Sequence, residues 1–296
     1  MKSFPWKDLK LNKFYTKNKV KIYYHYQKAL CSNKKGMIVA CLAWNMSPDV
    51  YSTLLITNKK IRKYYDFYII IMRGYKSNID YGNNLTNISN EVYNFIKCKK
   101  IEKFIIMGHS IGVAIWWRYI LTYGDKQIEK FILVDEMTRL LQNDNDSAEQ
   151  NLNLGSIIHQ CDIYNSYNIL IKGNEEAKLH RENIILSQFS DNFKMEHPDI
   201  IQKILLKVNL YSYNSTANIL FSNIPQNWIN NLLINKIKIP TFLFGGKNSV
   251  VPYQSIIYQK QYYNNVRIYI FEGDNSSHFA FLENYKEFNK LLNKFI

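Results

Sequence analysis

Cysteine is scarce. The 296 residues include four, Cys31, Cys41, Cys98 and Cys161, with no C-x-x-C pair and no zinc-type spacing. That excludes a disulfide-stapled scaffold and a structural zinc module, and a chain this long buries a large core without either. A reducing, cytoplasmic setting is expected, and Cys41, inside an apolar run, reads as a buried thiol. Glycine (11) and proline (6) are also few, which excludes collagen-like and Pro/Gly-rich disordered chains. No window reaches ~18 uncharged apolar residues, so no membrane-crossing helix is expected. The opening MKSFPWKDLKLNKFYTKNK has no apolar stretch of the signal-peptide kind. H-x-H, H-x-x-x-H and G-x-x-x-x-G-K-[ST] patterns are missing, so neither a metal nor a nucleotide cofactor is expected. The N-x-[ST] matches, Asn84-Leu85-Thr86 among them, read as chance in an Asn-rich chain.

Acidic residues are outnumbered, 24 Asp and Glu against 38 Lys and Arg, for a formal charge of +14. A surplus of that size raises nucleic-acid or anionic-membrane binding as a hypothesis. Yet the chain is rich in Lys, Asn, Ile and Tyr throughout, as an AT-rich genome would produce. Basic runs such as Lys34-Lys35, Lys59-Lys60 and Lys97 with Lys99-Lys100 scatter along it. They read as solvated faces, not as one stripe, so the expected partner is a small-molecule substrate. Neither nucleic acid nor membrane insertion is expected, and a homodimer is left open.

What the chain does have is a series of short apolar runs. Residues 20–26 alternate as a half-exposed antiparallel strand does. Residues 37–42, 67–72, 101–107, 131–134, 241–244 and 266–271 read as buried parallel strands. Residues 85–97 place Ile88, Val92, Phe95 and Ile96 on one helical face, and 111–123 is apolar nearly all round, as a buried helix would be. Residues 253–263 and 283–295 also fit a helical period. Alternation of this kind predicts an α/β fold with a mostly parallel sheet. About a hundred residues between Val134 and Pro240 break the rhythm. They are polar, Asn-rich and helix-leaning, and a loop of that length without structure is improbable. Their apolar residues, Ile163, Tyr167, Phe189 and Phe193 among them, suit a helical lid.

Gly108-His109-Ser110-Ile111-Gly112 lies between an apolar strand and an apolar helix. This is G-x-S-x-G in its required strand–turn–helix setting, the nucleophile elbow. A sharp turn there strains the Ser110 backbone, needs small residues two positions away on each side, and lifts the hydroxyl above the sheet. An activated serine needs a base and the base an orienting acid. Of six histidines, His278 lies between the last expected strand and the last helix. His25 falls on an edge strand, His109 flanks the serine, and His159, His180 and His197 fall in the polar stretch.

From these residues the chain resembles the α/β-hydrolases over residues 20–295. Met72-Arg73-Gly74-Tyr75-Lys76-Ser77 is similar to their D-x-R-G-x-G-x-S turn after the fourth strand, with Ile71 and Lys76 departing from it. His278-Phe279-Ala280-Phe281-Leu282-Glu283 is similar to the H-x-x-x-x-E that opens the last helix, where the glutamate is usually structural. The resemblance implies an eight-stranded, mostly parallel sheet with flanking helices and a helical cap inserted after strand six. The core would be residues 1–135 and 238–296, the cap 136–237. It also implies His278 as general base. The usual acid of G-x-x-D-x-x-x-P is Asn248 here, in Gly245-Gly246-Lys247-Asn248-Ser249-Val250-Val251-Pro252. Asp135, at the end of the preceding strand, takes its place in a subgroup of the family and in the related cofactor-free dioxygenases. Asp135 as a helix N-cap, and Glu136, Glu272 or Asp274 as the acid, stay open. The oxyanion donors expected are the N–H of Ile111 and, by alignment of strand ends, of Trp44, in Leu42-Ala43-Trp44-Asn45 where the family often has His-Gly-x. Trp44 and His109 are expected to meet substrate, with a core tryptophan as the bland alternative for Trp44.

Three functions follow. The leading one is a serine hydrolase that cleaves an ester, thioester or lactone of a small apolar or aromatic substrate through an acyl-enzyme, without a cofactor. A cofactor-free ring-cleaving dioxygenase is the second, weakened because Ile111 stands where those enzymes tend to carry His. A non-catalytic ligand receptor is the third.

Overall fold

In a computed structural model that describes residues 3–16, 19–76 and 82–296, except for the side chain of residue 233, the apolar runs become one eight-stranded sheet. The strands are β1 (Asn12–Tyr15), β2 (Lys21–Gln27), β3 (Gly36–Cys41), β4 (Tyr65–Ile70), β5 (Phe104–His109), β6 (Ile128–Val134), β7 (Thr241–Gly246) and β8 (Val266–Phe271). Their order is β1-β2-β4-β3-β5-β6-β7-β8. The β1–β2 and β2–β4 pairs are antiparallel, and the pairs from β4 through β8 are parallel. Ile38, Val39, Ala40, Phe104, Ile106, Phe131, Ile132, Leu133, Leu243 and Phe244 are wholly buried, as continuous apolar strands covered on both faces must be. Cys41 is buried with them, and all four thiols are free.

The differences from the sequence reading have local causes. β5 begins at Phe104 because Lys100 takes a positive φ of 53° and Ile101 N–H donates to Ile96 O, so this stretch closes the helix Leu85–Cys98. β1 is short, polar and half exposed, and carries little apolar signal. The helices Ser52–Thr57 and Lys59–Tyr64 carry no long apolar period because Asn58 divides them, its side chain capping the second by accepting from Ile61 N–H. The helix expected over 253–263 ends at Tyr258 and continues as a tighter 3-10 turn, Gln259–Tyr262.

Between β6 and β7 lie seven helices, from Ala148–Leu154 to Ile229–Ile234. The Asn and Ser that make this stretch polar also start its helices. Ser147 and Gln150 form a reciprocal capping box, and Asn174, Ser190 and Ser212 each accept the N–H three residues on. The turn after β4 is anchored by a buried Arg73–Glu91 ion pair, with Glu91 pushed up to about 7 by burial; Ser77 of that motif lies outside the described residues. No helix among the described residues is long and apolar enough to cross a membrane.

Candidate active site

The C-terminal ends of β5, β6 and β7 lie side by side and present Ser110, Asp135 and the segment 246–249 at one edge. Ser110 N–H donates to Val134 O at 2.9 Å, and Asp135 N–H to Phe244 O at 2.8 Å, so each loop starts tied to its neighbour. Ser110 has φ 54° and ψ −133°, a strained backbone for a residue with a side chain. The turn closes only because its flanks are glycines. A Cβ on Gly112 would stand 2.4 Å from Cys41 O, and one on Gly108 2.7 Å from Val113 N. Ser110 is half-buried and opens the buried helix Ile111–Tyr123.

The loop after β8 brings His278 to Asp135. Nδ1 lies 2.6 Å from Asp135 Oδ2, with His278 3% and Asp135 1% exposed. Burial pushes the Asp135 carboxyl up, and His278, Ser249 Oγ and Gly246 N–H hold it back by donating to it. With Nδ1 occupied, Nε2 is the ring nitrogen left to serve a hydroxyl. Among the described residues no hydrogen bond joins the Ser110 hydroxyl to that ring, and such contacts are often long before a substrate is bound.

Of the other acids considered, Glu136 accepts from its neighbour Met137 N–H at 3.2 Å, while Glu272 and Asp274 are exposed. Burial pushes Glu136 up to about 8. Asn248 is exposed as well, its Nδ2 donating to Gly273 O at 3.1 Å. The residue after it does what the sequence reading missed: Ser249 Oγ donates to Asp135 Oδ2 at 2.5 Å. Its only signal in the sequence is a place one residue beyond the usual acid.

His109 departs from the expectation of substrate contact. It is 0% exposed, its Nε2 donates to His278 O at 2.9 Å, and its ring packs on Phe279 and Phe281. Burial lowers its affinity for a second proton. A side chain so enclosed has no surface to offer a ligand; it supports the loop that carries His278. Glu283 supports it from the other side, accepting from Ser277 Oγ at 2.8 Å and from Ser190 N–H of the helical stretch at 2.9 Å.

Trp44 is buried, with Nε1 donating to Thr216 O at 2.9 Å. The positive φ of this loop falls on Asn45, at 59°, a residue type that tolerates it. Ala43 therefore needs no special backbone. Among the described residues no carbonyl accepts the N–H of Trp44 or of Ile111.

Residues 38–285 match a family described as alpha/beta hydrolase fold. An esterase from Exiguobacterium antarcticum superposes with a TM-score of 0.78 at 17% identity, over 95% of this chain and 97% of that one. A bromoperoxidase from Bacillus anthracis gives 0.79 at 16%, over 97% and 99%, and an enol-lactonase from Burkholderia xenovorans LB400 gives 0.75 at 14%, over 96% and 99%. At such identities the likeness is one of fold. No curated protein matches the chain in sequence.

Proposed function

The chain belongs to the alpha/beta hydrolase fold family, and from that premise we propose that it is a serine hydrolase acting on an ester, thioester or lactone with a small apolar or aromatic acyl part. The observation that carries this reading is the buried His278–Asp135 pair, 2.6 Å apart, at the same sheet edge as a strained Ser110. Ser110 Oγ attacks the carbonyl carbon while its proton passes to His278 Nε2. Asp135 keeps the proton of Nδ1 in place and stabilises the imidazolium. The N–H groups of Ile111 and Trp44 receive the oxyanion. Collapse breaks the bond to the leaving group, which takes the proton from His278. Water, deprotonated by the same ring, then releases the acid and restores Ser110.

Residues 136–237 serve in this reading as a helical lid on a core of residues 1–135 and 238–296. Contacts that support it are Trp44 Nε1 to Thr216 O, Tyr211 OH to Met46 O at 2.9 Å, and the Phe189 ring stacked 4.2 Å from Phe279. The test is a panel of p-nitrophenyl esters of graded chain length, acyl-thioesters and lactones, with Ser110→Ala beside the native chain and fluorophosphonate labelling in parallel. The expected result is hydrolysis of at least one class, lost in Ser110→Ala, with labelling at Ser110. Activity that survives Ser110→Ala, or no labelling, overturns it.

A further inference from the structure

The charge of +14 is unevenly placed. Residues 136–237 hold eight Lys and Arg against eleven Asp and Glu, which leaves thirty against thirteen for the rest of the chain. A bias toward lysine in composition alone would raise both parts alike. The topology then gathers what the sequence scatters. Because β3 to β8 run parallel, the residues that precede each strand line one edge of the sheet, opposite Ser110, Asp135 and His278. Lys35 precedes β3, Lys63 β4, Lys100 and Lys103 β5, Lys126 β6 and Lys238 β7, and all six are exposed. Backbone bonds tie neighbouring loops of this rim on either side of the β3–β5 pair: Lys35 N–H to Tyr64 O between β3 and β4, Phe104 N–H to Gln127 O between β5 and β6, and Phe131 N–H to Pro240 O between β6 and β7. Among the described residues none of the six enters an ion pair, whereas Lys34 is taken by Asp66 and Lys60 donates to the carbonyls of Asn293 and Ile296. The acids on this rim are Asp66, Glu102, Asp125 and Glu129.

Two apolar side chains stand among the cations. Leu30 is 71% exposed and Ile234 80%, two of the three described large apolar side chains above 70%. Leu30 N–H donates to Arg62 O, which holds it beside Lys63, and Ile234 borders the cleft that Lys236 and Lys238 line. A single exposed apolar residue needs no explanation. Apolar tips set among unpaired lysines have the chemistry of a surface that meets anionic headgroups and dips into the acyl boundary. A nucleic-acid backbone would use the cations and leave Leu30 and Ile234 without a role.

We propose that this rim is a peripheral docking surface for bilayers rich in anionic lipid, with the catalytic edge turned away from the membrane. The proposal does not rest on the ester-hydrolase reading. The test is co-sedimentation of the full chain with phosphatidylcholine vesicles that contain about a third phosphatidylserine, or none, at low and high salt. Binding is expected to the anionic vesicles only and to weaken with salt. Lys100→Glu/Lys103→Glu should lower it at least about tenfold, and Leu30→Ser/Ile234→Ser several-fold, with thermal melts and any soluble-substrate activity unchanged. No binding to anionic vesicles, equal binding to neutral ones, or indifference to salt and to the charge reversal overturns the proposal. So does tighter binding to short duplex DNA that the Leu30→Ser/Ile234→Ser change leaves intact. If the charge-reversed chain misfolds, the salt series and the apolar pair decide.

Discussion

Ser249 Oγ and His278 Nδ1 meet the same oxygen of Asp135, at 2.5 and 2.6 Å. The loop after β7 thus supplies no carboxylate but does supply a hydroxyl, and Gly246 N–H, to the carboxylate that arrives from β6. Two donors fix the orientation of Asp135 and draw off part of its charge. In Ser249→Ala that charge falls more fully on the ring, and Gly246 N–H is the one donor of this loop left to orient the carboxylate. The expected outcome is a kcat lowered roughly three- to tenfold with KM little changed, on the order of one hydrogen bond to a charged group. The acid limb of the pH–rate profile should move to higher pH, and Ser249→Thr should restore both. A fall in kcat with an unmoved profile and no rescue by threonine would reduce Ser249 to a packing residue.

The division between Asp135 and Asn248 makes a sharper prediction. Asp135→Asn keeps the shape but loses the charge that favours the imidazolium, and should lower kcat on the order of 10³–10⁴-fold. Asn248→Ala removes only an exposed bond to Gly273 O and should change kcat less than about twofold. Steady-state rates on the best ester of the panel separate the two. A large loss in the second variant with a small one in the first would reverse the placement of the acid.

The elbow can be tested through stability rather than rate. A methyl at residue 112 would face the Cys41 carbonyl at 2.4 Å, between two buried segments that cannot part without opening the β3–β5 pairing. Gly112→Ala should therefore lower stability by roughly 1–3 kcal/mol or prevent folding, read from urea midpoints or soluble yield. A midpoint equal to the native one would mean that the helix and the strand leave room for a methyl there.

How much of this the sequence could disclose depends on where the cause lies. Ser110 is legible because its constraint is local: strand, glycines, serine and helix follow one another in the chain. The apolar strands are legible for the same reason, since a strand buried on both faces must be apolar along its length. Ser249 is not, because its role comes from an oxygen 114 positions away and a serine in a loop has no distinguishing pattern. His109 misleads in the opposite way. Its place beside the serine suits a substrate contact, yet its side chain points back to the His278 carbonyl, and only the packing of Phe279 and Phe281 decides that. The split helices around Asn58 belong to a middle class, in which the cap is readable once one knows that a helix starts there.

Glu136 gives a pH dependence whose sign can be worked out. Its ordinary value is 4.5, and burial pushes it up to about 8 in the folded chain. Between those values the folded chain keeps a proton that the unfolded chain has released. Stability therefore falls as pH rises through that window. Glu136→Gln has no proton to lose and can still accept from Met137 N–H. From pH 5 to 8.5 it should gain stability relative to the native chain, on the order of a few kcal/mol. Glu91, pushed up to about 7, contributes a slope of the same sign that this substitution leaves in place, so the slope should shrink and not vanish. Urea midpoints of both chains across that range measure it. Parallel curves would mean that Glu136 is ionised in the fold and that a cation or water reaches it.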